Sequence, residues 1–122
     1  MSQEATEKTD ENTAIGYLKG VSRQFVNERD WQQFHSPKNL SMSVAIEAAE
    51  LMEMFQWLTV EESVQAVKDA VILEKTREEL ADVMIYCLNL ANVMGIDVTA
   101  SILKKIEKNR QKYPVSEFKG RF

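Results

Sequence analysis

Apolar residues recur at the three- and four-residue spacing of amphipathic helices through most of the chain, and no segment alternates strictly between apolar and polar residues. The first helix is predicted over residues 14–30, with Thr13 as its N-cap. Residues 31–40 contain Pro37 and are predicted to form a loop. The pattern therefore indicates an all-α protein in which this loop joins the first two helices.

Capping residues divide the rest of the chain into further helices. The second helix is predicted to begin after Asn39 or Ser41 and to run to about residue 58. Thr59 and Glu62 have the spacing of a capping box, which predicts a new helix there. Because no Gly or Pro follows until Gly95, residues 60–94 form either one long helix or a short and a long helix with a break near residues 68–74.

The last helix is predicted to begin at Asp97 or Thr99 and to end before Pro114. The chain thus has four or five predicted helices, in one domain over residues 13–114. Residues 1–12 are polar and lack apolar periodicity, so we expect a flexible tail there. Residues 115–122 are expected to form a C-terminal tail without a clear pattern.

Two of the predicted helices, the second one and the one over residues 76–94, are apolar nearly all round. Helices of this kind are buried on several sides. One chain of 122 residues has few elements with which to cover them. We therefore expect the helical bundle to be completed across a homo-oligomer interface, in a homodimer or a homotetramer.

Composition and charge limit the classes of binding partner and the cellular compartments that are expected for the protein. With 44% hydrophobic and 28% charged residues, the 122-residue chain suits one globular domain. The net charge of −4 and the lack of a basic run argue against a nucleic acid polymer as a partner. A single cysteine, Cys87, and a polar N-terminus predict a cytoplasmic protein. The longest apolar stretch, residues 83–96, is interrupted by Asn89 and Asn92 and is too short to cross a membrane.

Two pairs of acids lie in the most apolar helical segments. Glu47 and Glu50 form the first pair, and Glu79 and Asp82 form the second, each with the spacing of three that puts both carboxylates on one helix face. Four converging negative charges repel one another and lose hydration, so a bound cation is predicted. A ligand set of oxygens alone indicates Mg²⁺, with Mn²⁺ as the alternative, and Mg²⁺ held by few carboxylates indicates a phosphate substrate.

Two other interpretations of these acids are weaker. Exposed helix charges would explain them as they explain most glutamates, but the apolar flanks offer no other face to bury. A di-iron carboxylate bundle needs Glu-x-x-His motifs on two helices. The chain has a single histidine, His35, and it lies in the predicted loop.

The motif Glu47-x-x-Glu50, followed after 28 residues by Glu79-x-x-Asp82, resembles the signature of the MazG-type all-α nucleoside triphosphate pyrophosphohydrolases. The resemblance covers roughly residues 14–114, and within the family the sequence is most similar in detail to the dCTP pyrophosphatase branch. Four segments carry that detail, at residues 29–40, 53–57, 79–86 and 109–114.

The resemblance implies hydrolysis of a (d)NTP between the α and β phosphates, which gives the monophosphate and pyrophosphate and cleans the nucleotide pool. It further implies Mg²⁺ held by the four acids and a dimer or a dimer of dimers. Glu50 is the candidate general base and Glu53, one turn further on, is the second candidate. The alternative function is a non-catalytic helical oligomer that binds nucleotides or serves as a scaffold.

Candidate substrate contacts follow from the same comparison of residues. Trp57 lies seven residues beyond Glu50 and Tyr86 seven beyond Glu79, so each falls on the same helix face as those acids. The resemblance implies Trp31 as a further aromatic contact. These aromatic side chains either stack on a base or pack in the core. The polar candidates are His35 and Asn39 in the loop, for the base or sugar, and Lys105, Asn109 and Arg110 on the last helix, for the triphosphate.

One position departs from the pattern of the dCTP branch. Where the resemblance places a pocket histidine in the first helix, this chain has Ser22. A pyrimidine dNTP is expected, with dCTP first, and this departure leaves dUTP, dTTP or a broad preference open.

Overall fold

The computed structural model describes residues 6–121, which contain helices and no strand. The all-α prediction is confirmed, with four long helices and two short ones. They are α1 (Ile15–Glu28), α2 (Pro37–Glu53), α3 (Val60–Gln65), α4 (Ala70–Met94), α5 (Val98–Lys112) and α6 (Val115–Phe118), with 3₁₀ turns at Gln32–Phe34 and Ala66–Lys68.

The loop between α1 and α2 is shorter than predicted, because α2 begins at Pro37. The Ser36 side chain caps this helix by accepting a hydrogen bond of 3.1 Å from the backbone N–H of Asn39. A proline at the first helical position costs nothing, since its missing N–H would have no helical partner there. The predicted cap at Asn39 or Ser41 was therefore wrong by about one turn.

The end of α2 also differs from the prediction, since the helix ends at Glu53 rather than near residue 58. The chain then tightens into turns, in which Phe55 N–H bonds to Met52 O at 3.0 Å and Leu58 N–H bonds to Phe55 O at 3.0 Å. These turns lead directly into the extended cap of the next helix. Trp57 consequently lies on a turn and not on the helix.

The other predicted caps are largely confirmed. Thr59 and Glu62 form the reciprocal capping box of α3, and the predicted break falls at Asp69, which caps α4. Gly95 ends α4 with φ 65°, a conformation that glycine adopts without strain, and Asp97 caps α5. At α1 the cap is one residue later than predicted, at Ala14.

The helix α4 is the central element, and it packs against α2 and α1. The buried apolar core within residues 6–121 is small and consists of Val26, Leu40, Ala66, Leu88 and Ala91. Many large apolar side chains remain exposed, among them Val71 at 78%. A surface this apolar is typical of a chain that associates with another, which is the arrangement expected from the sequence.

Both predicted tails contain some regular structure where the chain is described. Asn12 accepts a hydrogen bond from Thr9 N–H and donates one to Glu7 O, which forms a turn. The first part of the predicted N-terminal tail, residues 1–5, lies outside the described residues. Near the other end, α6 packs the Phe118 ring edge-to-face on Tyr113, with 5.2 Å between the ring centroids.

Within residues 6–121, no single helix is long and apolar enough to cross a membrane. The pair α4 and α5 passes by length and composition only when taken together, across a bend of 101°.

Candidate active site

Three of the four predicted metal ligands converge between α2 and α4. Glu47 and Glu50 lie one turn apart on α2, and Glu79 faces them from α4. Each offers a carboxylate oxygen, and the three oxygens lie within 4.8 Å of one another. These residues are called the carboxylate cluster below. Their position is fixed by the packing of α2 on α4, which is the most extensive helix contact within residues 6–121.

Burial leaves two oxygens of the cluster without partners. Glu47 Oε2 and Glu79 Oε2 are both inaccessible to solvent and accept no hydrogen bond from any residue between 6 and 121. A buried polar atom without a partner is unfavourable, and more so when it is charged. The cluster is therefore electrostatically unfavourable unless a proton or a cation occupies it.

Burial and repulsion both act on the acidity of these groups. The pKa of Glu47 is raised above its ordinary value by burial first, and then by its hydrogen bond with Glu50 and by the charges of Glu50, Asp82 and Glu79. The pKa of Glu79 is raised by burial and by the charge of Glu50, and Lys75 opposes this shift. Both shifts are those of carboxylates that compete for one small volume.

Asp82, the fourth predicted ligand, lies at the edge of the cluster. It is exposed on α4, one turn beyond Glu79, and is not one of the three residues whose oxygens converge. Its charge nonetheless contributes to the raised pKa values of Glu47 and Glu79.

The donor set fits a divalent cation. Two unpartnered buried oxygens and one exposed carboxylate are anionic oxygen ligands, as Mg²⁺ requires. The three cluster oxygens lie within 4.8 Å of one another, which is close enough for all three to share one small cation with modest adjustment of the side chains.

A cavity of about 250 Å³ lies beside the carboxylate cluster. Ser43 lines it one turn before Glu47 on α2, and Tyr86 lines it one turn after Asp82 on α4. We call it the aromatic cavity; its lining includes Trp31, Phe34, His35, Asn39, Ser43 and Tyr86. Four residues predicted to contact the substrate are thus brought together next to the predicted metal ligands.

The loop side of the aromatic cavity is held by local contacts. The Trp31 ring packs edge-to-face on Phe25 of α1, with 5.9 Å between centroids. The Asn39 side-chain nitrogen donates a hydrogen bond of 3.1 Å to the carbonyl of Phe34. These contacts orient the 3₁₀ turn that carries the aromatic side chains, and they leave the Asn39 side-chain oxygen available.

The remaining predicted contacts lie away from this cavity. Trp57 is 87% exposed on the turn after α2 and does not line it. Lys105, Asn109 and Arg110 lie on α5, which is bent by 101° from α4, and they do not line it either. Arg110 instead pairs with Glu107 at 3.1 Å.

A second cavity, of about 200 Å³, was missed by the sequence analysis. It lies between α1 and α4 and shares His35 with the aromatic cavity. We call it the polar cavity; its polar lining residues are Arg23, Asn27, Gln32, His35, Asn89 and Asn92. The signal in the sequence was the pair Asn89 and Asn92 in an otherwise apolar helix, which was used only to argue against a membrane span.

Hydrogen bonds across α1 and α4 organise the polar cavity. The Ser22 hydroxyl donates to Asn89 Oδ1. Arg23 Nη2 donates to Asn92 Oδ1 at 2.9 Å, and Asn92 Nδ2 donates to the carbonyl of Lys19 at 3.0 Å. These contacts bridge the two helices and fix the orientation of both asparagine amides.

Comparison with known proteins identifies the family. A sequence model of the MazG-like family matches residues 42–121, and the chain belongs to that family. The resemblance noted from the acid motifs is thereby confirmed.

Individual relatives agree with this assignment. The chain is similar to dCTP pyrophosphatase 1 of Mus musculus, with 39% identity over 106 residues, and to the rat protein of the same name, with 36% identity over 103 residues. Each match covers 84% of this chain, and the chain spans 61% of the length of these relatives. A crystal structure of a pyrophosphatase from Archaeoglobus fulgidus superposes with a TM-score of 0.77 and 36% identity, covering 88% of this chain and 99% of that one.

Proposed function

We propose that the chain is a Mg²⁺-dependent nucleoside triphosphate pyrophosphohydrolase that converts a pyrimidine deoxynucleoside triphosphate to its monophosphate and pyrophosphate. The observation that carries this proposal is the carboxylate cluster, with two unpartnered buried oxygens, one helical turn from the aromatic cavity. Oxygen ligands favour Mg²⁺ or Mn²⁺, which commonly serve phosphate substrates. The curated relatives support the substrate class, since they are named dCTP pyrophosphatases.

The reaction adds water to a phosphorus atom and breaks the bond to the oxygen that bridges the α and β phosphates. A bound divalent cation neutralises charge on the phosphate oxygens and makes the phosphorus more electrophilic. Glu50 is the exposed member of the carboxylate cluster, whereas Glu47 and Glu79 are partly buried. Glu50 is therefore the member assigned to accept the proton of the attacking water as general base, and all four acids, Glu47, Glu50, Glu79 and Asp82, are assigned as ligands.

The aromatic cavity is assigned to the nucleobase. Trp31 and Tyr86 present ring faces on which a base can stack, which contributes about 1–3 kcal/mol per base. His35 and the free side-chain oxygen of Asn39 are available to the base or the sugar. Trp57, on the exposed turn after α2, is assigned to the outer side of the bound base.

A homodimer or a homotetramer is part of the proposal. The helix α5 packs only weakly on the rest of the chain and has no buried residue. Its apolar side chains Ile102, Leu103 and Ile106 are exposed at 48%, 63% and 42%. Association would bury this stripe and fix the position of α5, which carries the proposed triphosphate contacts Lys105, Asn109 and Arg110. A cytoplasmic location fits the single free thiol of Cys87.

A phosphate-release assay coupled to inorganic pyrophosphatase tests the proposal, with each of the four dNTPs and Mg²⁺. Phosphate should appear for at least one pyrimidine dNTP only when the coupling enzyme is present, and chelation of Mg²⁺ should abolish it. Tight dNTP binding by calorimetry without turnover would instead support the alternative of a nucleotide-binding module. If the protein neither binds nor hydrolyses any dNTP, the result would support the scaffold alternative.

A further inference from the structure

We propose that Asn89, held by Ser22, is a specificity-determining residue that donates a hydrogen bond to a base carbonyl, so that uracil or thymine is preferred over cytosine. This inference rests on the proposed function, which leaves the pyrimidine unspecified. It concerns the polar cavity and not the carboxylate cluster.

The polar cavity lies where the far edge of a base would reach. Asp82, Tyr86, Asn89 and Val93 follow one stripe of α4, which runs from the carboxylate cluster past the aromatic cavity into the polar cavity. Asn89 is seven residues from Asp82, or about 10.5 Å along the helix at 1.5 Å per residue. That length is comparable with a nucleoside, and the two cavities are neighbours, since His35 lines both of them.

Asn89 is a built feature of the cavity. It is the buried polar side chain of the helical core, with 5% of its surface exposed. Burial of an amide costs free energy unless its hydrogen bonds are made. Its oxygen accepts from Ser22, but its Nδ2 has no hydrogen-bond partner among residues 6–121. The side chain therefore keeps both N–H donors of Nδ2 for a ligand.

The Ser22 contact determines whether Asn89 acts as a hydrogen-bond donor or as an acceptor towards the base. An asparagine amide can present either its oxygen or its nitrogen to a ligand. Because the Ser22 hydroxyl donates to Oδ1, the oxygen is engaged by α1, and the nitrogen, which has no such bond, is the group we assign to the ligand. Ser22 stands where the resemblance places a histidine in the dCTP branch, and in this chain it orients the Asn89 side chain instead.

Among the neighbouring groups, Arg23 adds donors beside Asn89. It uses one nitrogen on Asn92, forms no ion pair within the described part of the chain and keeps further N–H donors. Asn92 already accepts from Arg23 and donates to Lys19 O, and the side-chain amides of Asn27 and Gln32 complete the polar lining. A base carbonyl matches such donors. The exocyclic amino group of cytosine would face them donor to donor, which disfavours it.

Steady-state kinetics with dUTP, dTTP and dCTP test the inference. For the wild-type protein, kcat/KM should be at least about tenfold higher for dUTP or dTTP than for dCTP, because a matched hydrogen bond is compared with an unpaired donor. Ser22→Ala frees the Asn89 amide to rotate, so it should bring the ratio towards one, with the change in KM rather than kcat. Asn89→Ala should lower kcat/KM for the preferred substrate more than kcat/KM for dCTP.

Gln24→Ala is the matched control on α1, because the Gln24 side chain bonds only to Glu28 on the exposed surface; the base ratio should not change. Thermal unfolding of each variant checks that the fold persists. A wild-type preference for dCTP, or an unchanged ratio in both Ser22→Ala and Asn89→Ala, would overturn the inference and leave the proposed function intact. A wild-type protein that hydrolyses no dNTP would remove the proposed function itself, and the inference with it.

Discussion

Glu47 of α2 and Glu79 of α4 bring carboxylate oxygens within 4.8 Å of each other, and each has a buried oxygen, Oε2, without a hydrogen-bond partner between residues 6 and 121. Two anions are not held together in this way at no cost, because repulsion and desolvation both oppose it. The helix packing that forces them together therefore stores an electrostatic penalty that a divalent cation would relieve.

Removal of one cluster carboxylate should abolish the response to metal. Glu79→Gln is expected to lower kcat/KM for a dNTP by more than about 100-fold, since loss of supporting groups alone costs 10–100-fold at metal sites. It should also remove the increase in melting temperature that Mg²⁺ gives the wild-type protein. Glu78→Gln is the matched control, because Glu78 is the adjacent acid on α4 and lies outside the cluster. Equal behaviour of the two variants would contradict the assignment.

The raised pKa of Glu47 predicts a specific pH dependence for the metal-free protein. A carboxylate whose pKa is raised in the folded state favours folding at pH values below its ordinary pKa of 4.5, and this contribution is lost as the pH rises through the raised pKa. In the presence of a chelator, Glu47→Gln should therefore melt at a higher temperature than the wild type at pH 7. The difference should shrink as the pH falls towards 4.5, and thermal unfolding across this range measures it.

Association should be measurable by light scattering. At micromolar concentration the mass is expected to be at least twice the 14.0 kDa of the chain, because large apolar side chains on α5 are otherwise exposed. Leu103→Glu should shift the protein towards the monomer, whereas Lys104→Gln next to it, which changes the net charge by the same amount, should leave the mass unchanged. A wild-type mass near 14.0 kDa would rule out the proposed oligomer.

The two tryptophans should separate stability from substrate binding. Trp57 is 87% exposed, so Trp57→Ala should leave the melting temperature unchanged and raise KM by about tenfold, as a lost stack of about 1.4 kcal/mol requires. Trp31 also packs on Phe25, so Trp31→Ala should raise KM and lower the melting temperature together. If Trp57→Ala leaves KM unchanged for every dNTP, Trp57 is not part of the base site.

Local signals in the sequence predicted much of the fold. Three helix boundaries depend on local contacts alone: the capping box at Thr59 and Glu62, the break at Asp69 and the stop at Gly95. Each of them is formed by residues within one or two turns of the boundary, so the sequence alone specifies it. The ends of α2 were predicted less well. Pro37 was taken to interrupt a helix when it begins one, and the turns over residues 54–58 carry no Gly or Pro to mark them.

The candidate site was predictable where one helix carries the pattern and not where two helices meet. The acid pairs are visible as i, i+3 spacings on α2 and α4. The polar cavity depends on Ser22 of α1 meeting Asn89 of α4 across 67 positions of sequence, and periodicity within either helix does not specify that contact. The packing of α2 on α4 likewise determines which acid oxygens converge, and it places those of Glu47, Glu50 and Glu79 together.

The central claim is that the carboxylate cluster supports hydrolysis between the α and β phosphates of a dNTP, and product analysis by phosphorus NMR tests it most directly. With Mg²⁺, the account predicts equal amounts of deoxynucleoside monophosphate and pyrophosphate, and no product with a chelator or with Glu79→Gln. Formation of a diphosphate and orthophosphate, or an undiminished yield from Glu79→Gln, would contradict it.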